Sequence, residues 1–127
     1  MIGGKEQPQL RATLNMETKY EVIIIGGGPA GLSAGLYCSR SRLSTLLIER
    51  GLIGGQIMNA ERIENYPGFP DGISGFDLGQ LMYQQAIKYG LKTLTTEVTG
   101  FKIQDEYKVV DTGEGGFEAA GIIIAAG

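Results

Sequence analysis

Gly26, Gly28 and Gly31 are spaced as G-x-G-x-x-G and follow the β-branched run Val22-Ile23-Ile24-Ile25 without a break. At the end of a strand, the first glycine of such a set allows a sharp turn. The second leaves backbone N–H groups open to phosphate oxygens, and the third lets a following helix lie close on the strand. The next segment, from about Ala30 to Ser41, reads as that helix, with Gly35 continuing the small-residue face and Arg40 and Arg42 at the end where cations complement the dipole. Phosphates placed on its first turn meet the positive end of the dipole, so the chemistry implied is binding of a dinucleotide pyrophosphate.

A second apolar run, Thr45-Leu46-Leu47-Ile48, ends in Glu49, which lies 23 positions after Gly26. A spacing of about 20 brings an acidic side chain within reach of an adenosine ribose. A carboxylate there also repels a 2′-phosphate, which favours FAD or NAD over NADP. Glycine makes up 21 of the 127 residues, so glycine triplets in loops arise by chance. The preceding strand and the acid at the right distance carry the inference, against the plainer alternative of a glycine turn beside a surface glutamate.

The elements that must hold these residues follow from the remaining pattern. Strand Tyr20 to Ile25, the helix and strand Thr45 to Glu49 make a β-α-β unit. Gly51 to Gly75 is rich in Gly, Asn and Pro and is expected to be irregular apart from a short helical turn after Gly54. Ser74 with Asp77 resembles an N-cap pair, and Phe76, Leu78, Leu81, Met82, Gln85, Ala86 and Tyr89 form a mostly apolar stripe at helical spacing, expected to be core. Gly90 closes that helix. Leu91 to Glu97 reads as a third parallel strand, because the helix supplies a crossover. Val98 to Gln104, Tyr107 to Asp111 and Gly116 to Ala119 read as short antiparallel strands, and Ile122 to Ala126 as a buried central strand.

The length allows one domain, with a hydrophobic fraction of 43% and a charged fraction of 20% typical of globular proteins. A net charge of −3 supplies no basic stripe, so neither nucleic acid nor an anionic membrane is an expected partner. Residues 1–19 read as a flexible lead-in without a secretory apolar region, and the apolar runs are too short to span a bilayer, which makes the cytoplasm the expected location. The single cysteine, Cys38, excludes an intramolecular disulfide and a C-x-x-C pair. With no histidine, a dedicated transition-metal site is not expected. Cys38 itself reads as a small helix residue, and no residue stands out as catalytic.

Three segments resemble the N-terminal part of the FAD domain of low-molecular-weight thioredoxin reductases, within the pyridine nucleotide-disulfide oxidoreductase class. Ile24 to Gly35, with its Pro29-Ala30 pair before the third glycine, is similar to the FAD-phosphate motif. Gly54-Gly55-Gln56-Ile57 followed by Ile63-Glu64-Asn65-Tyr66-Pro67-Gly68-Phe69 is similar to the flavin-contacting loop, and Ile122 to Gly127 to the strand and turn that close the first FAD segment. The resemblance covers Tyr20 to Gly127. It implies a Rossmann-like α/β FAD-binding domain, a parallel sheet with helices plus a small antiparallel β-meander, incomplete in this chain.

It also implies FAD as cofactor, held through Gly26, Gly28, Pro29, Ala30, Gly31, Glu49, Gly55, Gln56, Asn65, Val98, Ala126 and Gly127. Gln56 and Asn65 would offer amides near the flavin and its ribityl chain, and Val98 its backbone to the adenine. Read from residue type alone, the two amides are equally well loop residues with a structural role. Where the family has Ala-Thr-Gly, this chain has Ala125-Ala126-Gly127 and lacks the hydroxyl.

The family continues into an NADPH-binding domain with a second glycine motif and the redox C-x-x-C, neither of which occurs in these 127 residues. The reading that follows is the FAD-binding part of a thioredoxin-reductase-like oxidoreductase, not catalytically competent alone. A missing C-terminal half or a homodimer partner would complete it. A ferredoxin–NADP reductase-like flavoprotein and a non-catalytic FAD-binding module remain the alternatives.

Overall fold

A computed structural model describes residues 17–127, so the expected lead-in over residues 1–19 lies, up to residue 16, outside the described residues. Strand β1 (Lys19–Ile25) leads into helix α1 (Pro29–Arg40), and β2 (Thr45–Glu49) returns parallel to β1, with Val22 opposite Thr45 and Ile25 opposite Ile48. A loop holding one 3-10 turn (Gly55–Asn59) connects to helix α2 (Gly75–Ile87), and β3 (Lys92–Thr95) pairs parallel with β2. Strands β4 (Val98–Ile103), β5 (Lys108–Thr112) and β6 (Gly115–Ile124) form an antiparallel meander, and β6 also runs parallel to β1. The result is one six-stranded mixed sheet in the order β3-β2-β1-β6-β5-β4.

Each face of the parallel part carries its own core. Ile24, Leu32, Leu47, Ala86 and Leu91 pack beneath the two helices. On the opposite face Tyr20, Ile23, Leu46 and Ile48 pack with Val110, Phe117 and Ala119 of the meander. Strands β1 and β2 are thus covered on both sides, which is why they read as continuous apolar runs instead of alternating ones. Tyr20 and Ile23 enter the same cluster although they lie an odd number of residues apart. The N–H groups of Glu21 and Val22 both donate to the Ser44 carbonyl, at 2.9 and 3.1 Å, which resets the alternation as a bulge does. Burial, and secondarily the charge of Glu17, raises the pKa of the Tyr20 hydroxyl above its ordinary value.

Two expectations are corrected here. The segment Gly116 to Ala119 and the terminal apolar run are one strand, β6, because Lys19 and Tyr20 of β1 already pair with Glu118 and Ala119 where β5 does. The apolar end of β6 is not fully buried: Ile123 is 37% and Ile124 65% exposed. The pairing with β5 ends at Ala119, so beyond it β6 has β1 on one side only, and no described element covers its far edge.

The stripe on α2 also divides. Leu78 and Ala86 are buried and Met82 is half-buried, whereas Phe76 and Leu81 are exposed, as is Tyr89, which lies beyond the end of α2 at Ile87. The row facing α1 and the 3-10 turn is narrower than the apolar pattern, and the neighbouring row faces outward.

The start of α2 is fixed as the sequence suggests: the Ser74 hydroxyl accepts a hydrogen bond from the Asp77 N–H at 3.0 Å. Ser74→Ala is expected to cost about 1 kcal/mol, the usual value of such a cap, read as a lower midpoint of urea unfolding with an unchanged slope. A midpoint equal to that of the parent chain would show that α2 is held by packing alone.

Candidate functional site

In an open α/β sheet, ligands bind beyond the carboxyl ends of the strands, where the chain's direction of progress across the sheet reverses. Here β1 to β3 are laid down in one direction, and β6 is placed on the other side of β1. The crevice is therefore expected between the ends of β1 and β6. The glycine loop leaves β1 at that point, and Ala125-Ala126-Gly127 leaves β6 beside it. Glu49 ends β2 next door.

Gly26 makes the turn in a conformation that side-chain-bearing residues rarely adopt, with φ of +113°. A Cβ on it would lie 2.5 Å from the Ala125 carbonyl oxygen and 2.8 Å from the Ala126 nitrogen, so the segment that leaves β6 packs directly on the glycine loop. A Cβ on Gly31 would overlap the Gly26 carbonyl oxygen, which is the close helix-on-strand approach expected of the third glycine. Gly28 differs. Its φ of −80° and ψ of −167° suit any residue, and an added Cβ would meet only the Gly55 Cα, at 3.8 Å. Nothing among the described residues requires a glycine there.

Pro29 occupies the first turn of α1, where its missing N–H costs nothing. Among the described residues, no hydrogen bond engages the N–H groups of Gly28, Ala30 or Gly31, whereas those of Gly26 and Gly27 are taken by Ile48 O and by Glu49. Three backbone donors at the N-terminus of a twelve-residue helix form a concave set suited to an anion.

Glu49 does more than its spacing indicates. Its Oε1 accepts the Gly27 N–H and its Oε2 the Gly51 N–H, each at 2.7 Å. The Gly27 carbonyl in turn accepts the Gly54 N–H at 2.8 Å. That bond seats the 3-10 turn on the glycine loop, so closely that a Cβ on Gly55 would lie 2.7 Å from the Gly28 Cα. The turn is supported from below by α2, where the Gly75 N–H donates to the Ala60 carbonyl at 2.9 Å and Met58 is buried. Gly27 and Gly54 belong to motifs quoted from the sequence but were not among the residues expected to hold the cofactor. Both lie in glycine runs, and which member of a run is bonded is set by tertiary contact.

The structure therefore brings Gly26, Gly28, Pro29, Ala30, Gly31, Glu49, Gly55 and Ala126 into one neighbourhood, with Gly127 following Ala126. Val98 stands near its rim. It packs on the meander-side core with Ile48, and the Thr96 N–H just before it donates to the Glu49 carbonyl at 3.0 Å. Gln56 is exposed on the 3-10 turn next to Gly55. Asn65 is exposed on a loop closed by the Ile63–Ile73 bridge, where the rings of Tyr66 and Phe69 lie tilted to one another at 6.2 Å between centroids. Cys38 is half-buried on α1 and belongs to no cluster of metal-binding groups among the described residues. No described helix is long and apolar enough to cross a membrane.

The sequence profile of the family described as pyridine nucleotide-disulphide oxidoreductase matches residues 20–127. The chain belongs to that family. It is similar to thioredoxin reductase of Bacillus subtilis, with 46% identity over 114 residues, 90% of this chain and 36% of the relative. It is similar also to thioredoxin reductase of Treponema pallidum, with 43% identity over 88% of this chain and 36% of that protein. The crystal structure of thioredoxin reductase from Streptococcus pyogenes superposes with a TM-score of 0.84 at 42% identity, covering 88% of this chain and 36% of that one. The chain thus spans about 36% of the length of the relatives it matches.

The Rossmann-like reading of the fold is borne out by these structures, with the parallel sheet and the meander joined through β6 into one sheet. A flavin is the cofactor that the family implies. The residues present fit one on their own geometry, since three N–H donors unengaged among the described residues and a carboxylate at the end of β2 are the parts that a dinucleotide's phosphates and ribose require.

Proposed function

We propose that this chain forms the FAD-holding part of a thioredoxin-reductase-like flavoprotein oxidoreductase. One observation carries the reading: the glycine loop is fixed in place by Glu49 and Gly54, yet the N–H groups of Gly28, Ala30 and Gly31 have no partner among the described residues. Such groups would hold the pyrophosphate, with the α1 dipole adding to their attraction for it. Glu49 would accept from the ribose hydroxyls of the adenosine half, and the backbone at Val98 would meet the adenine. Gln56 and Asn65, through amides that both donate and accept, would serve the flavin half. The Ala125-Ala126-Gly127 turn would close the crevice without the hydroxyl contact of the family's threonine.

Bound FAD supplies the electron-transfer chemistry, which the protein positions and tunes. The nicotinamide-binding motif and the dithiol that a complete reductase uses are not in these residues, so the chain's own work in this reading is binding and orientation.

Titration of the 127-residue chain with FAD, followed by flavin absorbance and fluorescence quenching, tests the proposal. One FAD is expected to bind per chain, to be displaced by ADP and to be displaced poorly by FMN, because the fixed parts of the site address the adenosine diphosphate half. A chain that takes up FMN as well as FAD, or neither, would overturn it.

A further inference from the structure

We infer that Glu49 is a positioning residue for the phosphate loop, setting that loop in its binding conformation from the neighbouring strand in addition to any contact with ribose. This rests on the FAD-holding reading above and deepens it.

Both carboxylate oxygens are used within the protein. Oε1 takes the N–H of buried Gly27 and Oε2 that of Gly51, each at 2.7 Å, the short length of a charge-assisted bond. The main chain of Glu49 is itself fixed: β2 lies between β1 and β3, and the Glu49 carbonyl accepts the Thr96 N–H at 3.0 Å. The carboxylate is thus a rigid post at the end of a central strand.

Around it, three backbone groups of Gly26 and Gly27 are bonded. Gly26 N–H reaches Ile48 O at 2.9 Å, Gly27 N–H reaches Glu49, and Gly27 O accepts from Gly54 at 2.8 Å. Gly27 also has no room to turn away, since a Cβ on it would already stand 3.0 Å from the Glu49 Cβ and 3.2 Å from a Leu47 methyl.

With Gly26 and Gly27 held, the direction of the next peptide, and hence of the Gly28 N–H, is determined before any ligand arrives. Loss of the carboxylate would leave the buried Gly27 N–H without its acceptor, and the loop would relax to find another. Adenosine recognition and phosphate recognition are then coupled through one side chain, because the same oxygens retain lone pairs for ribose hydroxyls.

A ribose contact alone and a positioning role give different results with a nucleotide that lacks the hydroxyls. The test compares ADP with 2′,3′-dideoxyadenosine 5′-diphosphate on the full chain and on Glu49→Gln, by calorimetry. The substitution keeps the size of the side chain but sets an NH2 against one of the two backbone N–H groups. Dideoxy-ADP is expected to bind the variant about tenfold more weakly than it binds the parent, with ADP losing more. Equal affinity of parent and variant for dideoxy-ADP would overturn the inference and leave Glu49 as a ribose contact.

Amide hydrogen exchange on the ligand-free parent chain provides a reading that needs neither a folded variant nor a nucleotide. Gly27 and Gly51 are expected to be protected and Ala30, without a partner, to exchange fast. A Gly27 amide exchanging as fast as that of Ala30 would overturn the inference. If Gly27 is protected but the parent binds neither nucleotide, the FAD-holding reading fails, and the role given to Glu49 fails with it.

Discussion

Gly31→Ala is expected to destabilise the chain by about 3 kcal/mol or more, at the upper end of what overpacking costs. The added methyl would overlap the Gly26 carbonyl oxygen, with the Gly26 carbonyl carbon at 2.9 Å and a methyl of Ile24 at 3.5 Å. The obstacle is backbone, not the end of a flexible side chain. Gly26 cannot yield, because its N–H is bonded to Ile48 O at 2.9 Å, its φ is +113°, and the Ala125-Ala126 turn closes its other side. Relief requires α1 to lift off β1, which opens the cluster of Ile24, Leu32 and Leu47 that the helix covers. Domain stabilities of about 5–15 kcal/mol leave little margin for that. Urea unfolding followed by circular dichroism should show a much lower midpoint or no cooperative transition. A midpoint within error of the parent chain would mean that α1 takes up the methyl without lifting off β1.

The reason so much of this unit was legible beforehand is that its signals are local. The run Val22 to Ile25 stops at Gly26, and the helix and Thr45 to Glu49 follow within short connections, so turn chemistry and periodicity decide them without knowledge of the rest. The cap at Ser74 is equally local, with donor and acceptor three residues apart. Contacts between distant segments were not legible. The bond from Gly54 to Gly27 joins two glycine-rich stretches in which every member looks alike, and only tertiary packing chooses the pair. Spacing pointed Glu49 at an adenosine ribose but said nothing of the backbone N–H groups of Gly27 and Gly51 that its oxygens engage.

Periodicity also says which residues are apolar, not what covers them. Phe76, Leu81 and Tyr89 share the stripe of Leu78 and Ala86, yet remain exposed, and Ile124 continues a buried strand past the end of its second neighbour. These departures fall at the margins of the fold. The phosphate loop, where local and tertiary requirements agree, departs least.

Gly28→Ala is expected to do the opposite of Gly31→Ala, leaving stability unchanged while weakening FAD binding by roughly 10- to 150-fold. Its φ of −80° and ψ of −167° are open to alanine, and the new methyl would stand 3.8 Å from the Gly55 Cα, an ordinary contact. The unfolding midpoint should therefore move by no more than a surface substitution moves it, within about 0.5 kcal/mol. In the proposed reading the methyl would instead crowd the phosphate oxygens drawn to the Gly28, Ala30 and Gly31 N–H groups. Displacing the pyrophosphate from even one of these charge-assisted bonds costs about 1.5–3 kcal/mol, which is the fold-change given. Flavin titration beside urea unfolding on the same preparation separates the two effects. Unchanged affinity would move the pyrophosphate off this loop and remove the main support for the flavin reading. A loss of affinity accompanied by a loss of stability would mean instead that the 3-10 turn, packed on Gly28 through Gly55, cannot accommodate the methyl. Only loss of binding with an intact fold assigns the second glycine to the ligand, and the third, by contrast, to the helix.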